Sequence, residues 1–250
     1  MPSTSETGHA KNVANFEDLI SFCNGYGPSY NPSKNALTVP NLTILQNQAK
    51  AILQQTKTNK TSFDNATNAR QLAFKDLKPL ATKVVNALAV SGATTLAVAN
   101  LKTINRKIQG AKANGTAKTP TTLADPNPPA PTDKTISTSQ QSYDSLIDHF
   151  TKLIDTVSQD DNYKPNEIDL KTATLQTKLD TLKSANTDLI NGFTKWSNAR
   201  ISRNVTLYNP LIGLVQTALE VKKYVKSVFG ATSSQFKQVS GLEFTNVKDR

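Results

Sequence analysis

A single cysteine, Cys23, excludes a disulfide within the chain, and the only two histidines, His9 and His149, lie far apart in sequence. A reactive thiol needs a neighbouring base, and a histidine-built metal site needs more imidazoles than two, so neither chemistry has its parts. Cys23 reads as a small buried thiol. Aromatic residues make up 6% of the chain, with one tryptophan, and charged residues only 19%, below the usual quarter. There is no G-x-S-x-G elbow, and Gly25 and Gly27 of NGYGPSY lack the third glycine and the Lys-Ser/Thr of a phosphate loop. SQDDNYKPNEID is acidic but lacks the carboxylate ladder and turn glycine of a calcium loop. Asp144, Asp148 and Asp155 recur at helical spacing and read as a solvated stripe. No cofactor or metal is implied, and the chain is expected not to be an enzyme. Its opening, MPSTSETGHAKNVANF, is polar throughout, which points to a cytoplasmic protein or one exported without a cleaved leader.

What is present is polar filler of Thr, Asn, Ser and Gln around regularly spaced apolar residues. Leu42, Leu45, Ala49, Ile52, Thr56, Asn59, Phe63, Ala66, Arg70, Ala73 and Leu77 follow steps of three and four. A second series does the same through Ile168, Thr172, Leu175, Leu179, Leu182, Asn186, Leu189, Phe193, Trp196, Arg200, Arg203 and Leu207. Such steps hold one face of a helix toward a partner, and about 35 residues make a rod about 50 Å long. Further helices are expected at Val13–Cys23, near Ser139–Thr156, and from Pro79 and Pro210 onward, with a fourth element after Gly92 and after Gly230. Strand-like alternation is scarce, so the fold class is all-α.

The two long series are also alike residue by residue. With residue n laid over n+130, Leu45, Gln46, Phe63, Asn68, Ala69, Arg70 and Leu77 meet identical residues at 175, 176, 193, 198, 199, 200 and 207. FEDLI at Phe16 resembles YDSLI at Tyr143, YNP at Tyr30 resembles YKP at Tyr163, and VSGAT at Val90 resembles VFGAT at Val228, all in the same order. The spacing from Pro79 to Val90 is seven residues shorter than from Pro210 to Val228, which predicts one added heptad in the second third helix. Between the copies, Pro120, Pro126, Pro128, Pro129 and Pro131 preclude helix. The expected organisation is two tandem elongated bundles of three or four helices: a first repeat over 1–118, a Pro-rich linker over 119–136 and a second repeat over 137–250.

Charge is uneven. Residues 42–118 hold twelve Lys and Arg against Asp64 and Asp76, net +10 of the whole-chain +10, while 119–160 hold two Lys against six Asp. Lys102, Arg106, Lys107 and Lys112 form a candidate patch for an anionic partner, either nucleic acid or a membrane surface, though without the aromatic interleaving that stacks bases. Val84–Leu101 has no charge over 18 residues but contains Asn, Ser, Thr and a central Gly, so it reads as a buried helix–turn–helix corner. Arg70 and Arg200 occupy the apolar seam at the same phase and are candidates for fixing helix register, Arg70 with Asp64 or Asp76. Phe63, Phe193 and Trp196 are candidates for a self-association seam. The function these features favour is a non-enzymatic helical scaffold or interaction protein, with another protein or itself as partner. The alternatives are a leaderless membrane-acting helical protein using Val84–Leu101, and a non-specific nucleic-acid binder working through the basic first repeat.

Overall fold

The computed structural model describes residues 4–110 and 141–247. Every regular element among them is helical: α1 (Thr4–Gly25), α2 (Val39–Phe74), α3 (Leu77–Ala89), α4 (Thr95–Gln109), α5 (Tyr143–Ser158), α6 (Thr172–Tyr208), α7 (Leu214–Phe229) and α8 (Ser234–Ser240), with short 3-10 turns between. The starts of α4, α5 and α8 carry hydroxyl caps. Thr94 accepts from the Ala97 amide, Ser142 from Ser145 and Ser233 from Phe236, each satisfying an amide that has no partner inside its helix. The chain turns after α3 and α7 at Gly92 (φ 88°) and Gly230 (φ 91°), where a side chain would be strained.

Two compact units form: one joins the two ends of the chain, and the other is a single run between them. Unit 1 comprises Met1–Asp64 with Asn191–Arg250, and unit 2 comprises Asn65–Ile190. The division falls inside α2 and α6, so each long helix gives one end to each unit. The units therefore cut across the 1–118 and 137–250 halves, each taking helices from both. The 119–136 linker lies outside the described residues.

The core of unit 1 is built from Val13, Phe16, Leu19, Ile20 and Cys23 of α1, packed with Leu42 and Ala49 of α2, Leu207 of α6, and Leu214, Ala218, Val221 and Val225 of α7. Steps of three and four along α1 and α7 put these residues on one face of each helix. The extended segment after α8 is held to α1 by an amide clamp. The Asn12 Nδ2 donates to the Thr245 carbonyl at 2.8 Å, and the Thr245 amide donates to Asn12 Oδ1 at 3.1 Å. In unit 2, Phe74 of α2, Leu77, Ala81, Val84, Val85 and Leu88 of α3, and Leu101 and Ile108 of α4 meet Leu146, Phe150, Leu153, Ile154 and Val157 of α5 and Leu175, Leu179 and Leu182 of α6.

One local device occurs once in each unit. In unit 1 the buried Tyr30 donates its hydroxyl to the Leu37 carbonyl at 2.7 Å, across the 3-10 turn Asn35–Leu37 that leads into α2. In unit 2 the buried Tyr163 donates to the Leu170 carbonyl at 2.8 Å, across the turn Ile168–Leu170 that leads into α6. The long helix then opens in the same way, Leu42 donating to Thr38 at 2.9 Å and Leu175 to Lys171 at 3.0 Å. A carbonyl just before a helix has no intrahelical partner, and the phenol supplies one without water.

The third helix departs from expectation. Pro79 lies in the first turn of α3, as expected at a helix start, but Pro210 lies before α7 and marks none. Nor is the extra length one heptad: α7 has 16 residues against 13 in α3, and the break before it spans 209–213 against 75–76. The longer break closes on itself. Asn209 Oδ1 accepts from the amides of Leu211 and Ile212 at 2.9 and 3.2 Å, and Gly213 donates to the Asn209 carbonyl at 2.9 Å. Gly213 is sterically required, because a Cβ there would lie 2.5 Å from the Asn209 nitrogen.

Candidate interaction surface

Unit 1 brings Phe63, Phe193 and Trp196 together. The two helices approach closely here, a Cβ on Gly192 standing 3.4 Å from the Phe63 Cα, in ordinary contact. The Phe63 ring stacks on Trp196 (centroids 5.4 Å, planes 15° apart) and meets Phe193 at 5.7 Å, while Phe193 stands edge-on to Trp196 at 6.2 Å. Offset-stacked and edge-on pairs are the favoured aromatic arrangements. Cations surround the indole: Lys60 Nζ is 5.3 Å and the Arg200 guanidinium 5.2 Å from its centre. The three seam candidates thus contact each other within one chain. Phe63 and Trp196 are half-buried, and Phe193 remains 50% exposed. Ile201 and Val205, 61% and 54% exposed, continue from Phe193 along the i, i+4 ridge of α6. A lone exposed apolar side chain is ordinary, whereas these three lie on one ridge.

The seam positions of α2 expected to face inward, from Leu42 to Ala73, are all buried or half-buried. In the second series Ile168 and Phe193 are the exposed members. Arg70 lies in unit 2 with its guanidinium 3.9 Å from the Tyr143 ring centre, and it donates from Nη1 to Asn186 Oδ1 at 3.0 Å. Asn186 in turn donates to Asp144 at 2.7 Å, so a polar chain ties α2, α6 and α5. The partner is neither Asp64 nor Asp76; Asp64 is paired with Lys60 one turn back on α2. Arg200 is half-buried and rests on Trp196, a different environment from that of Arg70. The fully buried arginine is Arg203, which donates to Asn204 Oδ1 from Nε and Nη2 at 3.1 and 3.0 Å. Its seam phase, one turn before Leu207, was the signal that could have singled it out.

Lys102, Arg106 and Lys107 are exposed on α4, while Lys112 lies outside the described residues. This patch is not purely positive. Lys107 faces Asp148 of α5, whose carboxyl is held below its ordinary range mainly by the hydrogen bond from Lys152, with Lys107 a smaller contributor. His149 on the same helix is buried, and desolvation lowers its basicity, reinforced by Lys107 and Lys152 against the opposing pull of Asp148. Asp144 and Asp148 are thus engaged with Asn186 and Lys152. Burial pushes the Cys23 thiol up to about 11, despite a hydrogen bond with Tyr30, which leaves it unreactive at neutral pH.

Val84–Leu101 forms the α3–α4 corner. No helix among the described residues is long and apolar enough to cross a membrane. No protein-family model, curated protein or solved structure matches the chain.

Proposed function

We propose that the chain is a non-enzymatic, self-associating helical interaction protein with an internally duplicated sequence, and that its contact surface is the Phe193–Ile201–Val205 ridge of α6. The observation that carries this reading is the exposure of all three apolar side chains on one ridge, beside the Phe63–Trp196 stack that fixes its base. A ridge on a long helix is suited to the groove of a second helix, and burying it would gain roughly 1.5–3 kcal/mol per side chain. The seven identities at a 130-residue offset and the matched Tyr30 and Tyr163 devices support duplication.

Size-exclusion chromatography with light scattering tests the reading. The wild type should run as a multiple of 27.1 kDa that dissociates on dilution, and Ile201→Asp with Val205→Asp should run at 27.1 kDa with unchanged helicity. A wild type that stays at 27.1 kDa at every concentration overturns it.

A further inference from the structure

The α3–α4 hairpin is amphiphilic along its length. Its two helices run antiparallel, pinned at the base by Gln109 donating to the Lys78 carbonyl at 2.8 Å and midway by Asn105 reaching Thr82 at 3.5 Å. From Leu77 to Gln109 it contains Lys78, Lys83, Lys102, Arg106 and Lys107, all exposed, and no Asp or Glu. None of these cations falls between Val84 and Leu101. The inner face of that uncharged stretch is core: Val84, Val85, Leu88 and Leu101 are buried. The tip faces outward, with Val90 86% and Leu96 77% exposed. Lys83 is seven residues before Val90 and Lys102 six residues after Leu96, so both sit about 10 Å below the tip at 1.5 Å per residue.

We infer that this corner is a shallow contact site for an anionic phospholipid surface. An uncharged tip about 10 Å deep, where Val90 and Leu96 stand out among the exposed Asn86, Thr94, Thr95 and Asn100, above a collar of lysines has the dimensions of a shallow interfacial anchor: the two apolar side chains enter the headgroup–acyl boundary and the cations remain among the headgroups. The core beneath holds the tip in place, so docking orders little new chain. The acids near this hairpin do not cancel its charge at the tip. Asp169 reaches Lys83 at 3.7 Å, an exposed pair of little strength, and Asp148 lies near Lys107 at the far end. The matching corner of unit 1 lacks the pattern, since Lys222, Lys223 and Lys226 run up to Val228. The site is distinct from the α6 ridge, and its contact is peripheral. It would not open a pore.

Sedimentation of the full chain with vesicles decides the matter. The wild type should pellet with phosphatidylcholine vesicles containing phosphatidylserine at about 150 mM salt, and not with phosphatidylcholine alone, without releasing trapped dye. Val90→Asp with Leu96→Asp should lower the bound-to-free ratio at least about tenfold, since it removes both apolar anchors. Lys83→Glu with Lys102→Glu should do the same through charge, and both variants should keep wild-type helicity by circular dichroism. Either of two results overturns the inference: a wild type that stays in the supernatant, or a Val90/Leu96 variant that pellets like the wild type. Dye release overturns the peripheral contact in favour of insertion. Binding to duplex DNA at the same salt, lost in the lysine variant but untouched in the tip variant, together with no vesicle binding, replaces it with a nucleic-acid site.

Discussion

Replacing Tyr30 by Phe, and separately Tyr163 by Phe, removes one hydroxyl from each unit while leaving ring volume almost unchanged. Each hydroxyl donates to a carbonyl at the foot of a long helix, Leu37 at 2.7 Å and Leu170 at 2.8 Å, and both tyrosines are buried. No cavity of consequence results, so the main cost is that of an unsatisfied buried carbonyl, about 1–3 kcal/mol at each site, with the contact to Cys23 lost as well at Tyr30. For a unit of this size, with a urea slope of about 2 kcal/mol per molar, the midpoint should fall by about 0.5–1.5 M. Trp196 is the only tryptophan and lies in unit 1, so its fluorescence follows Tyr30→Phe, while far-ultraviolet circular dichroism follows both substitutions. The two sites share no partner, so the double variant should lose the sum of the single losses within about 0.5 kcal/mol. A loss below about 0.5 kcal/mol at either site, with the other intact, would refute the claim that the two hydroxyls perform the same task.

Arg70→Lys should destabilise the protein by about 1–2 kcal/mol in urea unfolding followed by circular dichroism, because an ammonium cannot both lie flat on Tyr143 and reach Asn186. The Cys23 thiol should resist a disulfide reagent at neutral pH until the protein unfolds. Its folded value of about 11 exceeds the ordinary 9.0, and that of Tyr163, about 12, exceeds 10.0. Both raised groups therefore contribute stability that is complete below the ordinary values and is lost as pH rises through the folded ones, so urea midpoints should decline above about pH 9. His149 has the opposite sense: its folded value lies below 6.5, so the stability tied to its neutral form is present above 6.5 and declines on acidification. His149→Gln should flatten the slope of urea midpoint against pH just below 6.5.

The helices were legible in the sequence because their apolar residues recur at steps of three and four, and that spacing needs no knowledge of the partner. From Leu42 to Ala73 the positions of that series in α2 are buried or half-buried. The grouping of helices was not legible. Periodicity says which face is apolar, not which helix covers it, and the front of α2 meets the back of α6 across some 140 residues, as in the Thr56 hydroxyl reaching the Ala199 carbonyl at 3.4 Å. The candidate surface was half legible. Phe63, Phe193 and Trp196 stood out as rare aromatics at seam phase, but Ile201 and Val205 lie off that phase and passed as ordinary surface. Arg70 was found and its partner was not, because Asn186 and Tyr143 are close only in the fold. At the α3–α4 corner an uncharged run predicted burial, and its tip proved exposed: a run without charges does not reveal where the chain reverses.

The central claim is that each compact unit draws helices from both halves of the chain, α1 with α7 and α8 in unit 1, and α3 and α4 with α5 in unit 2. Its most direct test is to prepare 1–124 and 125–250 separately and record their circular dichroism and urea melts alone and after mixing. Each half alone leaves an apolar face of every helix uncovered, so each should show weak helicity and no cooperative transition. Mixing them one to one should restore the helicity and cooperative melt of the intact chain. Two halves that fold cooperatively on their own, with spectra that merely add on mixing, would contradict the account.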